Sequence, residues 1–216
     1  MNKLLNKLEY KYGKICIPNL MLYIVIAIGA AYIVNLCVPN IYLPYYMIFS
    51  RELIFAGEWW RIFTWIFMPD DINPFFLILS LYFYYFIGSG LEHRWGSFKF
   101  NIYYLFGILF TIAGGFISGF TTNMWLNYSL FFAFAVLYPD MQVRLFFIIP
   151  VKMKWLALLD LVFFAVYLVI GTMYDRVAIL VSMLNFFLFF YEDFYKMIKN
   201  QIYYFKHRQK YKNNRY

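Results

Sequence analysis

Six long apolar runs, separated by polar or mixed stretches, organise this chain of 216 residues. They cover residues 17–38, 74–91, 101–119, 124–138, 155–171 and 177–191, and the last extends to Tyr195 if its polar end is counted. Runs of this kind predict helices that cross a bilayer, although several fall below the roughly 20 residues that a full span needs. Short spans imply a locally thinned bilayer or helices that other helices shield. The pattern therefore predicts an all-α membrane protein with six transmembrane helices.

The longest connection, residues 39–73, lies between the first two predicted spans and is not an ordinary polar loop. It carries Trp59, Trp60 and Trp65 after a stretch rich in Tyr and Ile. Trp and Tyr are enriched at the headgroup level of membranes, where their rings sit between apolar and polar surroundings. We therefore expect this connection to lie partly embedded in the membrane interface, with its aromatic rings at headgroup depth.

The composition excludes a water-soluble fold. Hydrophobic residues make up 64% of the chain and aromatic residues 25%, whereas soluble domains are nearer half apolar. Lys and Arg number 19 against 11 Asp and Glu, and seven of the 19 lie in residues 196–216. A basic tail can indicate nucleic acid, but on a membrane protein it marks the cytoplasmic side. We therefore expect a lipid bilayer as the partner, and no nucleic acid.

The distribution of basic residues predicts the topology. If the N-terminus is cytoplasmic, 16 of the 19 Lys and Arg lie inside and only Arg51, Arg61 and Arg176 lie outside. The positive-inside rule then favours both termini in the cytoplasm and an even number of spans. We divide the chain into a basic N-terminus (1–16), a membrane domain (17–195) and a basic tail (196–216). The abundance of Phe, Tyr, Ile, Asn and Lys is typical of proteins from AT-rich bacterial genomes. We therefore expect the protein in the cell membrane of a bacterium.

The sequence predicts neither a disulfide bond nor a metal site. Cys16 and Cys37 bracket the first apolar run and would lie 21 residues apart, about 30 Å along a helix, so they cannot bridge each other. There is no Cys/His cluster, and His93 and His207 are the only histidines. We therefore expect no metal site and no cofactor.

An acidic residue, Glu92, closes the second apolar run. A charge at the centre of a span costs roughly 2.5–3.5 kcal/mol on insertion scales, so an acid at a span's edge needs a partner. Gly88 and Gly96 flank it and leave the backbone bare for close helix approach. We expect Glu92 to accept hydrogen bonds from hydroxyl or backbone donors across that contact, with Ser97 as one partner.

A second group of motif residues lies in the long connection, where Glu58, Trp60, Arg61 and Thr64 follow Gly57. Glu58 and Arg61 are three residues apart and would be neighbours if this stretch is helical. We expect this stretch to lie at the outer side of the membrane.

These features together resemble the rhomboid family. The matching residues are Glu58, Trp60, Arg61 and Thr64 in the connection, then Gly88, Leu91, Glu92, Gly96 and Ser97 at the end of the second span. In topology the resemblance covers most of the chain, and in motif it is specific between Gly57 and Lys99. It implies a six-helix rhomboid-like bundle in which these residues stabilise the scaffold and the outer loop and do not catalyse.

The resemblance also implies a serine protease reduced to a dyad, with a Ser in Gly-x-Ser-Gly on span four and a His base on span six. Ser129 lies near the head of span four without either glycine, and span six has no histidine. On span two, Phe76 and Ser80 stand where the family has His and Asn to stabilise the oxyanion. A serine hydroxyl without a base is a weak nucleophile. We therefore predict a rhomboid-like pseudoprotease that binds transmembrane clients without cleaving them.

Two other functions remain open. One is an active rhomboid-type intramembrane serine endopeptidase that uses Ser129 with an atypical base. The other is a small-molecule transporter or channel, although no paired half-helices or inverted repeats support it. Derlins share the Trp-Arg feature of the loop and are the nearest analogy for a non-catalytic function, at the level of fold only.

Three polar residues fall within predicted spans: Asn127, Asp160 and Asn185. They could line a polar pocket that holds a client's transmembrane segment, or they could bond neighbouring helices, at about 0.6–2 kcal/mol each. For the two asparagines the second interpretation is favoured. For Asp160 both stay open, because acids inside membranes are functional candidates by default.

Overall fold

The computed structural model describes residues 2–38, 41–69, 73–145 and 149–191. Its helices are α1 (Asn2–Tyr12), α2 (Leu20–Cys37), α3 (Leu43–Met47), α4 (Arg51–Phe55), α5 (Arg61–Thr64), α6 (Pro74–Trp95), α7 (Ser97–Ser118), α8 (Met124–Leu137), α9 (Met153–Ile170) and α10 (Met173–Tyr191). Within these ranges, five helices are long and apolar enough to cross a membrane: α2, α6, α7, α9 and α10. The expectation of an all-α, multi-pass membrane protein is confirmed.

The predicted boundaries shift at the junction of α6 and α7. Helix α6 continues past residue 91 to Trp95, and α7 begins at Ser97 instead of residue 101. Gly96 separates them with φ of +85°, a conformation that L-residues with side chains rarely adopt. The apolar pattern ended α6 too early and began α7 too late, because the polar residues at these two helix ends are also helical. The predicted tail, 196–216, and His207 lie outside the described residues.

Helix α8 is the centre of the bundle. It packs against α6, α7 and α9, and its buried residues run from Leu126 to Ala135 on nearly every face. A helix that is apolar all round is typical of such a surrounded position. Its 14 residues span only about 20 Å, less than the roughly 30 Å of a hydrocarbon core. Neighbouring helices, and not lipid, cover most of this short helix.

Two short antiparallel ladders join the connections between helices, and the helical pattern did not predict them. Strand β1 (Phe49–Ser50) pairs with β2 (Phe120–Thr121) and so ties the long connection to the turn between α7 and α8. Strand β3 (Gln142–Leu145) pairs with β4 (Ile149–Lys152), just before α9. The first ladder joins two different connections, whereas the second closes within the single connection between α8 and α9.

The long connection is a folded unit that contains α3, α4, α5 and a 3₁₀ turn at Trp65–Phe67. Trp59 and Trp60 are 74% and 52% exposed, as an interfacial location requires. Trp65, which the pattern placed with them at headgroup depth, is fully buried instead. Its indole N–H donates to the carbonyl of Ile62 at 2.8 Å, and this local partner allows a Trp ring to be buried.

Candidate functional site

Arg61 anchors the long connection between α2 and α6. Its side chain is 1% exposed, and its guanidinium lies 2.6 Å from Oε2 of Glu58. It also donates to the carbonyl oxygens of Tyr45 at 2.7 Å and Ile48 at 3.1 Å. A buried charge is tolerated when it is both paired and hydrogen-bonded. Arg61 therefore fixes the end of α3 against α5.

The other motif residues of the connection hold the same segment. The indole N–H of Trp60 donates to the carbonyl of Tyr46 at 3.3 Å, and the hydroxyl of Thr64 donates to that of Met47 at 2.9 Å. Trp60, Arg61 and Thr64 together contact four consecutive carbonyls, residues 45–48. All four of these carbonyls belong to the backbone of the same connection.

Glu92 joins three helix ends. Its Oε1 accepts from the hydroxyl of Ser97 at 2.6 Å and from the backbone N–H of Asn19 at 2.8 Å. Asn19 precedes α2 in the left-handed conformation, with φ of 53°. Next to this contact, Asn101 of α7 exchanges two hydrogen bonds with the backbone of Ile17, at 2.9 and 3.0 Å. The ends of α2, α6 and α7 are thus tied together through side chains.

Gly88 lies in the same region, where α2 and α6 cross. A Cβ atom on Gly88 would lie 2.5 Å from Cβ of Met21, and one on Gly90 would lie 2.5 Å from the ring of Phe134 on α8. Such distances do not occur between real side chains. Small residues at these two positions let α6 approach both neighbours closely.

Ser129 is buried inside the bundle. It is 1% exposed, and its Oγ lies 2.6 Å from the hydroxyl of Tyr103 on α7. The amide N–H of Asn185 on α10 donates to the same Oγ at 3.1 Å, and Tyr103 also donates to the carbonyl of Ser129 at 2.8 Å. In a consistent assignment, Ser129 accepts from Asn185 and donates to Tyr103. Ser129 therefore bonds three helices to one another.

Asn185 belongs to this cluster and not to a pocket. Its side chain is 1% exposed, and its second contact is to the carbonyl of Tyr103 at 3.5 Å. Its Oδ1 has no hydrogen-bond partner among the described residues. His93 is exposed in the last turn of α6 and is not a hydrogen-bond partner of Ser129. His207 lies outside the described residues. No His, Asp, Glu or Lys of the described chain hydrogen-bonds to Ser129.

A cavity of about 620 Å³ lies between α6, α8 and α9. Its lining is largely aromatic and aliphatic, with Phe83 and Leu156 as examples. Polar groups come from all three helices: Ser80 from α6, Asn127 from α8 and Asp160 from α9. Ser80 is thus in the lining, whereas Phe76, the other position expected to hold an oxyanion residue, is 44% exposed and is not.

The cavity brings together two of the three intramembrane polar residues, Asn127 and Asp160, and leaves Asn185 in the separate cluster. Ser129 is not in the lining either. Sequence reasoning had no signal for this division, because residues of three helices far apart in the chain form the cavity. Within the part of the chain that the structure describes, no group of three or more His, Cys, Asp or Glu is placed to hold a metal ion.

No protein-family model matches this chain, and a search of curated proteins finds no match either. The geometry of the buried serine and of the cavity therefore carries the functional argument.

Proposed function

We propose that this protein is a rhomboid-like integral membrane pseudoprotease, which binds transmembrane clients without cleaving them. In this proposal α8 is the sixth membrane helix, shielded by its neighbours, and both termini lie in the cytoplasm of a bacterial cell. The observation that carries the proposal is the cavity between α6, α8 and α9, in whose described lining no hydroxyl group is hydrogen-bonded to the carboxylate of Asp160.

Scaffold contacts support the rhomboid-like part. Glu58, Trp60, Arg61 and Thr64 bond the outer connection, and Glu92 with Ser97 bonds the junction of α6 and α7. These are the residues on which the resemblance depends. Each makes contacts that fit a structural role, so the motifs are compatible with a frame kept apart from any chemistry.

The surroundings of Ser129 support the absence of cleavage. A serine nucleophile needs a base within hydrogen-bond reach and access to a substrate carbonyl. Ser129 has a phenol and an amide as partners, and at 1% exposure it offers no space for a peptide bond. An amide N–H cannot take a proton, and a phenolate in a wholly buried site would be an uncompensated charge.

The lining of the cavity supports client binding. A volume of about 620 Å³ lies within the 300–1,000 Å³ typical of ligand sites. Leu159 and Met124 belong to the lining and are also 52% and 45% exposed, so the cavity opens to its surroundings. Because α9 is one of its walls, side chains on one face of a neighbouring transmembrane helix could enter from that flank.

Photo-crosslinking tests the proposal. Benzoylphenylalanine placed at Leu159 should capture membrane proteins in intact cells, with discrete products identified by mass spectrometry. The same probe at Leu105, which is 50% exposed on α7 and is not in the lining, is the matched control. Equal capture at both positions, or capture of lipid alone at Leu159, would overturn the client-binding proposal.

The alternative is an active serine endopeptidase that uses Ser129 with an atypical base, and that base would have to be the phenol of Tyr103, which lies 2.6 Å from Oγ of Ser129. A fluorophosphonate probe separates the two proposals. We expect no labelling of the reconstituted protein. Covalent labelling that Ser129→Ala abolishes would establish the peptidase and end the pseudoprotease proposal.

A further inference from the structure

We infer that the cavity selects transmembrane clients that carry a Lys or Arg side chain within the membrane, and that Asp160 is the residue that pairs with it. This inference rests on the proposed client-binding function and names the class of client. The occupant is a membrane-spanning helix with a basic residue near its centre.

The position of Asp160 is the first observation. It is the eighth of the 18 residues of α9, about 10 Å from the first residue of that helix, and so lies far from both helix ends. Leu158, Leu159 and Leu161 surround it in sequence and are 45–52% exposed. The carboxylate is half-buried and lines the cavity.

The second observation is that Asp160 lacks a partner. No hydrogen bond or ion pair joins its carboxylate to any residue in the described ranges. The basic residues closest along the chain are engaged elsewhere, since Lys152 and Lys154 both bind Asp140 at 3.2 and 2.8 Å. Arg176 donates to the carbonyl of Val169 at 2.9 Å. The protein builds a cavity around an acid and, within the described chain, supplies no cation to it.

Neutral oxygen atoms complete the site. Asn127, Tyr128 and Ser80 line the same cavity, and their side chains carry an amide and two hydroxyl groups. A Lys ammonium has three N–H donors and an Arg guanidinium has five, with no acceptor on either. One carboxylate with several neutral acceptors fits such a group, and the apolar remainder of the lining fits the aliphatic stem of the same side chain.

Charge complementarity explains why such a client would be retained. A lone Lys or Arg in a spanning helix is costly in lipid, and so is the lone acid of α9. Bringing the two together offsets part of both penalties, whereas a client without a basic residue leaves the carboxylate unpaired. The cavity therefore distinguishes clients by charge and not only by apolar fit.

Synthetic helices test this inference. The full chain, with benzoylphenylalanine at Leu159, is reconstituted in phosphatidylcholine vesicles with single-span Leu/Ala helices of about 20 residues. The helices differ only at the central position, which is Lys, Gln, Glu or norleucine. We expect half-maximal crosslinking of the Lys helix at about one-tenth of the concentration needed for the norleucine helix, equivalent to about 1.4 kcal/mol. Asp160→Asn should abolish this preference and keep crosslinking of the norleucine helix.

Two variants guard against a folding artefact. Asp140→Asn removes an exposed acid outside the cavity and should keep the preference for Lys. Asp160→Lys should reverse the preference, so that the Glu helix crosslinks best. Reversal is a gain that a misfolded variant cannot show.

The outcomes separate the two levels of the proposal. If no helix crosslinks from position 159, the client-binding function itself fails. If all four helices crosslink alike, the function stands and the inference about basic clients is overturned. If the Lys preference is present in phosphatidylcholine but disappears in phosphatidylethanolamine, a lipid amine occupies the site and the inference is likewise overturned.

Discussion

Oε1 of Glu92 accepts a hydrogen bond of 2.6 Å from the hydroxyl of Ser97, five residues later and across the break at Gly96. The same oxygen accepts from the backbone of Asn19 at 2.8 Å. One carboxylate oxygen thus joins α6 to the start of α7 and to the start of α2.

Glu92→Ala should lower the melting temperature in detergent. The change leaves the donors of Ser97 and Asn19 without this acceptor, at about 1–3 kcal/mol in total. Glu92→Gln keeps an acceptor oxygen and should cost less. Glu52→Ala, at an exposed position of α4, is the matched control and should change stability by less than about 0.5 kcal/mol. An unaltered melting temperature for Glu92→Ala would show that this oxygen does not secure the junction.

Gly88→Ala should destabilise the protein, whereas Gly29→Ala should not. A Cβ at Gly88 meets Cβ of Met21 at 2.5 Å, which no rotamer change can relieve, so overpacking should cost about 1–3 kcal/mol. At Gly29 the nearest atom is Cδ1 of Leu81 at 3.8 Å, and the better helix propensity of Ala should make that change neutral or stabilising by up to about 1 kcal/mol. Equal effects in thermal unfolding would contradict the close crossing of α2 and α6.

Arg61→Lys should loosen the long connection between α2 and α6 although it keeps the charge. A Lys ammonium is a single point and cannot reach Glu58, Tyr45 and Ile48 together as the planar guanidinium does. Limited proteolysis of proteoliposomes should cut within residues 41–69 faster than in the unsubstituted protein. Arg94→Lys, at an exposed position, provides the control. A cleavage rate equal to the control's would mean that the guanidinium does not fix the connection.

Tyr103→Phe and Ser129→Ala should be coupled in stability. Their hydroxyls bond each other in the core, so a double-mutant cycle of unfolding free energies should give a coupling of about 0.5–1.5 kcal/mol. Both single variants should still crosslink clients from position 159. If Ser129→Ala instead abolished peptide cleavage without changing the unfolding free energy, the hydroxyl would act as a nucleophile and not as a structural hydrogen-bonding group.

Lowering the pH should remove the contribution of Asp140 to the stability of the folded protein. Hydrogen bonds from Lys154 and then Lys152 hold the pKa of this carboxyl below its usual range. Because the pKa of this carboxyl is lower in the folded than in the unfolded state, its ionised form stabilises the fold above the unfolded pKa of about 4. That stabilisation is lost as the pH falls through the folded pKa. The melting temperature of Asp140→Asn should therefore lie slightly below that of the unsubstituted protein at pH 7, and the difference should shrink as the pH falls through the lowered pKa of Asp140. Because the group is exposed, added salt should also reduce the difference. A constant difference across this range would exclude ionisation of Asp140 as the cause.

Local features of the fold were predictable, and distant contacts were not. Apolar runs located every long helix to within about one turn, and the contacts Ser97–Glu92 and Arg61–Glu58 span only a few residues. Ser129 was singled out as a nucleophile candidate only because the family resemblance implies a Ser at the start of the fourth span. Its partners, Tyr103 and Asn185, lie 26 and 56 residues away, and such pairings depend on how helices rotate against each other. For the same reason the sequence grouped Asn127, Asp160 and Asn185, whereas packing divides them between a cavity and a core cluster.

The pairing of β1 with β2 sets an order of events during synthesis. Phe49 of β1 is fully buried and pairs with Thr121 of β2. Because β2 lies about 70 residues later in the chain, it leaves the ribosome long after β1. At 5–20 residues per second, the intervening chain takes on the order of several seconds to make. Until then, the long connection between α2 and α6 lacks the strand against which it folds. A nascent chain stalled before residue 120 should therefore expose this apolar segment to chaperones and proteases, and release of β2 should be the step that protects it.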